Sequence, residues 1–537
     1  MNTFMSKLKQ VNSLYMKIFS VVVFTFIMFC AYSQNAEVVK GKVFNDINHN
    51  GKPDKNEEGI ANVLVSNQKD VVVTDKYGNY TLPVDSQTII FVTKPGGYSV
   101  PLDTNNVPQF YFIYQPDGSP DLQFSGIKPT GKLPEFINFP LYKTGKKDTF
   151  KLLVFADVQV KDQKEIEYFR EDVITNVLNY NHNADVGISL GDLVHDNVGL
   201  FPEYNRSMAL LGIPHYSVQG NHDVNYDADE IYSSETFKKN FGPNYYSFDF
   251  GNVHFICLED IERFCKKGSH TEWWDCYRGK VGPKQFTWLK NDLQHVPQNQ
   301  LVVICLHIPF QESPDVTDGR ETVENQKELF EFLQDRENIL VLGGHRHTLE
   351  HCYFGKSNGW NGKKELHQIV CASVSGSWWS GPKDENGVPL ATQIDGVPNG
   401  YFIIEFMNNS YIHTFYPSGM CSDQMRIESP RGIIADSSDR KIIVNVFNSN
   451  KYSDVLAVID NGKPFNLSNE IMRDPYIDRQ FKLYKDDYKS WVSPSRSTQI
   501  WTGNYPQILV KGLHVLKITV TDEYGRNDTS FSVFEVR

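Results

Sequence analysis

Residue types that bind metal ions recur in five short stretches of the chain. Each stretch directly follows an apolar run, and its carboxylate, imidazole and amide groups can all hold a divalent ion. A single histidine of this kind is more often structural, but five such stretches favour one shared metal site. In chain order they are Asp157-Val158-Gln159, Gly191-Asp192, Gly220-Asn221-His222-Asp223, His307 and His345-Arg346-His347.

The apolar runs before these stretches predict short buried strands, and amphipathic helices lie between them. This alternation predicts an α/β domain. Because loops at the carboxyl ends of neighbouring parallel strands share one edge of a sheet, we expect the five stretches to meet. The predicted strands cover residues 151–155, 185–190, 215–218, 301–306 and 339–342, and the predicted helices cover 161–180, 284–293 and 323–333.

The order of the five stretches resembles the calcineurin-like metallophosphoesterase superfamily. The pattern of that superfamily is D-x-H, G-D, G-N-H-[DE], H and G-H-x-H, and the resemblance covers residues 150–405. It implies a four-layer α/β/β/α core, flanked by β-sandwich modules as in a bacterial branch of the superfamily. It also implies an enzyme that hydrolyses phosphate esters of a small phosphorylated substrate.

The resemblance further implies a centre of two divalent ions, bridged by Asp192. Two such ions can clamp the attacking and leaving oxygens of a phosphoryl group. His222 is no ligand in the family pattern, and we expect it to protonate the leaving group, with Asp196 as its orienting partner. The implied ligands are Asp157, Gln159, Asp192 and His347 for the first ion, and Asp192, Asn221, His307 and His345 for the second.

Gln159 stands where the superfamily usually has histidine. One interpretation is a weakened first site and a protein that has become a surface- or carbohydrate-binding protein. The other is that glutamine binds the ion through its oxygen, as in the Asp-x-Gln variant of the manganese-dependent ADP-ribose/CDP-alcohol diphosphatase branch. That resemblance favours an active enzyme, and diesters or pyrophosphates over monoesters. Because glutamine is a poor ligand for softer metals, we expect manganese rather than iron or zinc.

A second departure from related families lies three residues after Asp192. Purple acid phosphatases carry an iron-binding tyrosine at that position, whereas this chain has His195. The difference argues against a purple enzyme. Asp196, one residue further, is the candidate for orienting His222.

In the segment from Val38 to about Leu141, apolar and polar residues alternate over short runs that are separated by turns. This pattern predicts a small immunoglobulin-like β-sandwich. Inside it, residues 46–57 satisfy the twelve-residue calcium-loop template. A polar hairpin loop is the alternative interpretation. The candidate calcium ligands are Asp46, Asn48, Asn50, Lys52 (at the position that uses a main-chain carbonyl), Asp54 and Glu57.

The strand-and-turn pattern returns after about residue 406 and predicts a second immunoglobulin-like β-sandwich. Helical signals are nearly absent from that region. The predicted domains are therefore a signal peptide at 1–33, a β-sandwich at 36–145, a catalytic domain at 150–405 and a β-sandwich at 406–537.

The chain has 537 residues and a net charge of −12, which argues against nucleic acid as a partner. Three lysines, an apolar run from Ile18 to Cys30 and small residues after it are typical of a cleaved signal peptide. No second apolar span follows. We therefore expect an exported protein without a transmembrane anchor, in the periplasm or at the cell surface.

Export permits disulfides, and Cys265 and Cys276 flank a polar loop as the favoured pair. Cys257, Cys305 and Cys371 lie inside apolar runs and are interpreted as buried small side chains.

Overall fold

The computed structural model describes residues 37–264, 276–311, 320–419, 423–434, 441–505 and 509–537. The predicted signal peptide at 1–33 lies outside these residues. Within the described ranges, every helix is too short or too polar to cross a membrane.

The N-terminal region forms two four-stranded sheets, with strand orders β4-β1-β8-β6 and β3-β2-β5-β7. Strand β1 pairs antiparallel with β4 and parallel with β8. Its alternating side chains place Val39 and Val43 on one face, where both are buried in the core. The strands are β1 (Glu37–Asn45), β2 (Leu64–Ser66), β3 (Val71–Val73), β4 (Asn79–Val84), β5 (Thr88–Val92), β6 (Tyr98–Ser99), β7 (Tyr111–Tyr114) and β8 (Phe139–Lys143).

The central region contains a five-stranded sheet, β11-β10-β9-β20-β21, and a six-stranded sheet, β12-β13-β16-β17-β19-β18. A two-stranded ribbon, β14-β15, accompanies them. The strands are β9 (Thr149–Phe155), β10 (Val186–Leu190), β11 (His215–Val218), β12 (Tyr246–Phe250), β13 (Val253–Cys257), β14 (Ile261–Arg263), β15 (Tyr277–Gly279), β16 (Val302–Cys305), β17 (Ile339–Gly343), β18 (Glu350–Phe354), β19 (Leu366–Val370), β20 (Gly400–Met407) and β21 (Ser410–Pro417).

Strand β9 shows how the core is divided, because its successive side chains point to opposite faces. Leu152 and Val154 belong to a core cluster shared with the six-stranded sheet. Leu153 and Phe155 belong to a second cluster, shared with the helices on the other face. Phe150, at the start of the strand, packs against Phe250 of the six-stranded sheet and Phe406 of the five-stranded sheet, and so joins the two sheets.

The predicted helix over 161–180 is confirmed, with a π-helical turn at Phe169–Ile174 inside it. Asp162 caps its first turn by accepting the N–H of Glu165 at 3.0 Å. The α-helices of the central region are α1 (Gln163–Tyr168), α2 (Thr175–Tyr180), α3 (Phe201–Ala209), α4 (Glu235–Phe241), α5 (Pro283–Leu293) and α6 (Gln326–Leu333).

The five metal-type stretches follow strands β9, β10, β11, β16 and β17. Strands β9, β10 and β11 are parallel neighbours in one sheet, and β16 and β17 are parallel neighbours in the other. The carboxyl ends of both sets converge on one site. This convergence is the arrangement that the alternating sequence pattern predicts.

The C-terminal region has sheets of four and five strands, β22-β24-β30-β27 and β23-β32-β31-β25-β26, and a ribbon, β28-β29. The strands are β22 (Met425–Ser429), β23 (Gly432–Ile434), β24 (Lys441–Val446), β25 (Asp454–Ile459), β26 (Phe465–Asn466), β27 (Ser468–Asn469), β28 (Met472–Arg473), β29 (Arg496–Ser497), β30 (Ile500–Asn504), β31 (Gly512–Thr521) and β32 (Asn527–Val536).

Two features here differ from the sequence interpretation. Strand β21 lies beyond residue 405 but pairs with β20 along its whole length, so it belongs to the central five-stranded sheet. Helix α7 (Pro475–Leu483) stands in a region where helical signals are weak. It begins at Pro475, and Asp474 caps it by accepting the N–H of Tyr476 at 2.8 Å.

Cys257, Cys305 and Cys371 are buried free thiols, as their apolar surroundings predict. Cys276 is disulfide-bonded. Its predicted partner, Cys265, lies outside the described residues.

Candidate metal centre

The turns after the five strands are tight, and they force candidate ligands into left-handed backbone conformations. Non-glycine residues adopt positive φ at a cost of about 1–3 kcal/mol each, and such residues concentrate at functional sites. The candidate ligands with positive φ are Asp157 (48°), Gln159 (44°), Asp192 (50°), His345 (73°) and His347 (53°).

Asp192 lies at the middle of the cluster and is almost fully buried. Its Oδ1 accepts the main-chain N–H of His222 at 2.9 Å, and its Oδ2 accepts the side-chain N–H of Gln159 at 2.8 Å. The Nε2 of His307 lies 3.3 Å from the same Oδ2. Asp192 therefore contacts residues from both sides of the cluster, as a bridging carboxylate would.

Asn221, His307 and His345 form one side of the cluster. His307 Nε2 lies 3.0 Å from Asn221 Oδ1 and 3.1 Å from His345 Nδ1. The remaining nitrogens donate to main-chain carbonyls, His307 Nδ1 to Leu190 at 2.9 Å and His345 Nε2 to Arg320 at 2.8 Å. These carbonyls fix each ring so that its other nitrogen points into the cluster.

Asp157, Gln159 and His347 form the other side. His347 Nδ1 donates to the carbonyl of Gly376 at 2.5 Å, which leaves Nε2 as the free nitrogen, 3.7 Å from Asp157 Oδ1. Among the described residues, neither His347 Nε2 nor Gln159 Oε1 has a hydrogen-bond partner, although both atoms are buried. Buried polar atoms without partners cost free energy, so these two atoms indicate a missing ligand.

The cluster fits divalent ions. Ligand atoms about 2.1 Å from an ion stand about 3 Å from one another, and the contacts of His307 with Asn221 and His345 have this spacing. The donor set mixes imidazole, carboxylate and amide groups, which suits manganese, iron or zinc. The two buried atoms without partners, Gln159 Oε1 and His347 Nε2, belong to types that bind such ions.

The buried carboxylates of the cluster also favour the binding of positive ions. Burial and the charge of Asp192 raise the pKa of Asp157 to about 7, although His307 lowers it. Burial lowers the pKa of His307, but Asp192, Asp157 and Asp260 outweigh burial and raise it to about 10. A proton on His307 thus balances the buried carboxylates where a cation would otherwise do so.

His222 lies beside Asp192 and the other candidate ligands. Its Nδ1 is 2.5 Å from Asp196 Oδ1, and its Nε2 is 4.0 Å from Asp192 Oδ2. Burial lowers the pKa of His222, but the two carboxylates outweigh burial and raise it to about 9. Nδ1 therefore donates to Asp196, and Nε2 carries the proton that faces the metal ligands.

Three supporting contacts were not predicted from the sequence. The hydroxyl of Tyr226 lies 2.6 Å from Asp196 Oδ1 and 2.9 Å from the carbonyl of Asn221, so it joins the two loops. The ring of Trp378 stacks on His347 at 3.7 Å between centroids. His195, considered only for its position, stacks on His222 at 4.5 Å. Of the three residues, only Trp378 belongs to a pattern that is visible in the sequence, the aromatic pair Trp378-Trp379.

Asp223, the fourth residue of its stretch, is structural. Its carboxylate accepts the N–H groups of Gly220, Leu193 and Val194 at 2.9, 3.1 and 3.1 Å. These bonds fasten the loop after β11 to the loop after β10, and they hold Asn221 beside Asp192.

Three family models match the chain in order. A model for the N terminal of calcineurin-like phosphoesterase matches residues 47–128, one for calcineurin-like phosphoesterase matches 150–349, and one for its C terminal matches 369–527. The chain belongs to the calcineurin-like phosphoesterase family. It is therefore a hydrolase of phosphoric ester bonds, and its family implies divalent metal ions and a phosphorylated substrate.

Comparison of the phosphoesterase with curated proteins found no match. Among solved structures, the purple acid phosphatase PPD1 from yellow lupin (Lupinus luteus) seeds shares 12% identity, with 67% of this chain and 69% of that chain covered and a TM-score of 0.33. A metallophosphoesterase from Sphaerobacter thermophilus shares 13% identity, with 50% and 87% covered and a TM-score of 0.20. At such TM-scores the likeness carries no functional conclusion.

The candidate calcium loop of the phosphoesterase forms a closed turn around Gly51, which has a φ of 73°. Asp46 accepts the N–H groups of Asn50 and Gly51 at 3.2 and 2.8 Å. Glu57 accepts the N–H of Ile47 at 2.9 Å and that of Asp54 at 3.0 Å. The terminal carboxylates of the template therefore both face the interior of the loop.

Proposed function

We propose that this phosphoesterase hydrolyses phosphate esters with a dinuclear metal centre. The observation that carries the proposal is the pair of buried atoms without partners, Gln159 Oε1 and His347 Nε2, on one side of Asp192. On the other side, His307 Nε2 and His345 Nδ1 face each other at 3.1 Å. Asp192 contacts both groups, which supports two ions that share one bridging carboxylate.

The proposed ligands are those expected from the sequence. The first ion would take Asp157, Gln159, Asp192 and His347, and the second would take Asp192, Asn221, His307 and His345. Bound divalent ions would supply a water of lowered pKa and positive charge for the phosphoryl oxygens.

His222 is the proposed acid. Its Nε2 holds a proton on the inner side of the site, and Asp196 holds the opposite nitrogen at 2.5 Å. The carboxylate fixes the orientation of the ring and favours its protonated form. His222 can then give the Nε2 proton to the oxygen of the departing alcohol as the ester bond breaks.

Gln159 supports an active enzyme rather than a weakened one. Its amide N–H is satisfied by Asp192, whereas its oxygen is the buried atom that lacks a partner. An oxygen ligand in place of imidazole favours a harder ion, so manganese is the proposed metal. Diesters or pyrophosphates are proposed over monoesters.

The wider architecture also belongs to the proposal. Helices α1 to α3 share a core with one face of the five-stranded sheet, and helices α5 and α6 share a core with the six-stranded sheet. This packing supports a four-layer α/β/β/α domain at about 150–405, extended by β21. Immunoglobulin-like modules at 36–145 and 406–537, and export after signal cleavage, complete the proposal.

The test is hydrolysis of nitrophenyl mono- and diesters by metal-stripped protein, with manganese, iron or zinc added back. Turnover is expected to return first with manganese. Asn221→Ala should abolish it, whereas Asn291→Ala, a change in helix α5 remote from the cluster, should not. Absence of turnover with every ion would favour the surface- or carbohydrate-binding alternative, and a fully active Asn221→Ala variant would contradict the ligand assignment.

A further inference from the structure

We propose that Trp491, from the C-terminal region, is a specificity-determining residue that binds a flat, uncharged leaving group. The inference rests on the proposed phosphoester hydrolysis and adds the class of substrate to it. It starts from the indole ring of Trp491, which is 54% exposed and packs against His195, the neighbour of the proposed acid. Exposed apolar area at such a place is a site that a ligand can cover.

Trp491 ends a stack of three nearly parallel rings. The His222 ring stacks on His195 with centroids 4.5 Å apart and an interplanar angle of 16°. The His195 ring then stacks on Trp491 at 5.9 Å, also at 16°. The indole is therefore the exposed outer face of the stack of rings that carries the proposed acid.

The segment that carries Trp491 is fixed to the catalytic region. Lys489 Nζ pairs with Glu165 at 2.9 Å, and the N–H of Gly381 donates to the carbonyl of Asp487 at 2.9 Å. A further main-chain bond joins Ser495 to Ile394 at 2.8 Å. Because the segment is held at both ends, little conformational entropy remains to be lost when a ring stacks on the indole.

A cavity of about 670 Å³ adjoins this stack and shares His195 with it. This volume lies within the range of ligand pockets. The described lining includes two carboxylates and no lysine or arginine, and the nearby Lys489 is paired with Glu165. The lining residues are Gln123, Phe124, His195, Asp196, Asn197, Val224, Tyr226 and Asp227.

The acidic lining of the cavity restricts which leaving groups the site can bind. A pyrophosphate would release a leaving group that is itself a phosphate, and its negative charge would meet Asp196 and Asp227 in a lining whose described residues include no lysine or arginine. An alcohol with an uncharged ring would instead cover the indole and contact Phe124 and Tyr226. The geometry thus favours esters of ring-bearing alcohols over pyrophosphates.

The kinetic test compares phosphate monoesters and methyl diesters of benzyl alcohol and of ethanol, since the two alcohols differ chiefly in the ring. We expect the wild-type enzyme to prefer the benzyl ester, and Trp491→Ala to reduce that preference about tenfold, mainly through KM. Phe531→Ala is the matched control, because Phe531 is an exposed aromatic residue of the same region on strand β32. An unchanged preference in Trp491→Ala would overturn the inference.

A binding test separates this inference from the proposed function. The probes are benzylphosphonate, ethylphosphonate and 4-carboxybenzylphosphonate, titrated by calorimetry into manganese-loaded protein. Preference for the uncharged benzyl probe that is lost in Trp491→Ala supports the inference even if no ester is hydrolysed, in which case the proposed function alone fails. Equal affinity for the three probes, or equal loss of all three in Trp491→Ala, would overturn it whether or not esters are hydrolysed.

Discussion

His345 Nδ1 lies 3.1 Å from His307 Nε2, and each ring donates its other N–H to a main-chain carbonyl. The two carbonyls come from Leu190, at the end of strand β10, and from Arg320. The protein therefore sets the tautomers of both histidines through its backbone. Two ring nitrogens directed at one point require a positive charge between them, which a proton on His307 supplies in the metal-free protein and a bound ion would supply instead. This relationship is the basis of the metal assignment.

The first prediction concerns the proposed acid. His222→Ala should lower kcat about 10²- to 10⁴-fold, because the leaving alcohol loses its proton donor. The loss should be smaller for a nitrophenyl ester than for a benzyl ester, since nitrophenolate departs without protonation. Steady-state kinetics on the two esters measure the difference.

Asp196→Asn separates orientation from acidity in the same experiment. The amide can still contact Nδ1 of His222, but it cannot favour the charged ring. The kcat of Asp196→Asn should lie between that of the wild-type enzyme and that of His222→Ala. The loss should again be smaller for the nitrophenyl ester than for the benzyl ester. Equal losses on both esters in His222→Ala would argue that the residue acts as a structural member of the loop.

The second prediction concerns Gln159. Gln159→His should shift the metal preference from manganese toward zinc, because imidazole is the better ligand for softer ions. Gln159→Ala should reduce the metal content by one ion per chain. Elemental analysis after dialysis measures both, and Gln123→Ala, an exposed glutamine on the rim, serves as the control. Two ions retained by Gln159→Ala would show that the amide is no ligand.

The sequence predicts the candidate metal ligands but not the residues that pack around them. Asp157, Asp192 and His307 follow apolar runs, and the rule that parallel strands end at one edge brings them together. Tyr226 and Trp491 follow no such rule, because their roles arise from loop conformations and from the docking of a distant region. Helix α7 is missed for a similar reason: only Ile477 of its nine residues is buried, and its first turn depends on the cap at Asp474.

Outside the metal centre, three histidines join the two central sheets to the C-terminal region. Their hydrogen bonds form one directed chain. Tyr411 donates to His367 at 2.7 Å, His367 to His351 at 3.0 Å, His351 to Asn448 at 2.9 Å, Asn448 to His413 at 3.2 Å and His413 to Glu523 at 2.9 Å. In this chain the rings of His367 and His351 each donate once and accept once, which is the hydrogen bonding of a neutral histidine.

The third prediction is a loss of stability in acid that originates in this chain. Burial lowers the pKa of His351 to about 3 and that of His367 well below its ordinary value. Unfolded histidines titrate near about 6.5, so below that pH the unfolded chain binds more protons than the folded one. The free energy of unfolding should therefore fall between about pH 6.5 and 3, by up to about 1.4 kcal/mol per pH unit per histidine.

Urea unfolding of metal-stripped protein at several pH values measures this slope. His351→Gln should make the dependence shallower by nearly one proton, whereas His295→Gln, on the exposed surface, should leave it unchanged. If the free energy of unfolding of His351→Gln depends on pH as steeply as that of the wild-type protein, or more steeply, the acid sensitivity does not originate in this chain of histidines.

The fourth prediction concerns the candidate calcium loop. Calcium added to metal-stripped protein should raise the melting temperature of the N-terminal region, because the ion binds only the folded loop. Glu57→Gln should abolish the rise, since it removes the carboxylate that closes the loop. His345→Ala should retain the rise, because that residue belongs to the other centre. A rise lost in His345→Ala but kept in Glu57→Gln would assign the calcium to the catalytic site.

The central claim is that one cluster holds two ions bridged by Asp192. Anomalous diffraction at the manganese edge, from crystals of the manganese-loaded enzyme, tests it most directly. Two peaks are expected, one beside Asp157, Gln159 and His347 and the other beside Asn221, His307 and His345, with Asp192 in contact with both. A single peak, or two peaks of which Asp192 contacts only one, would contradict the account.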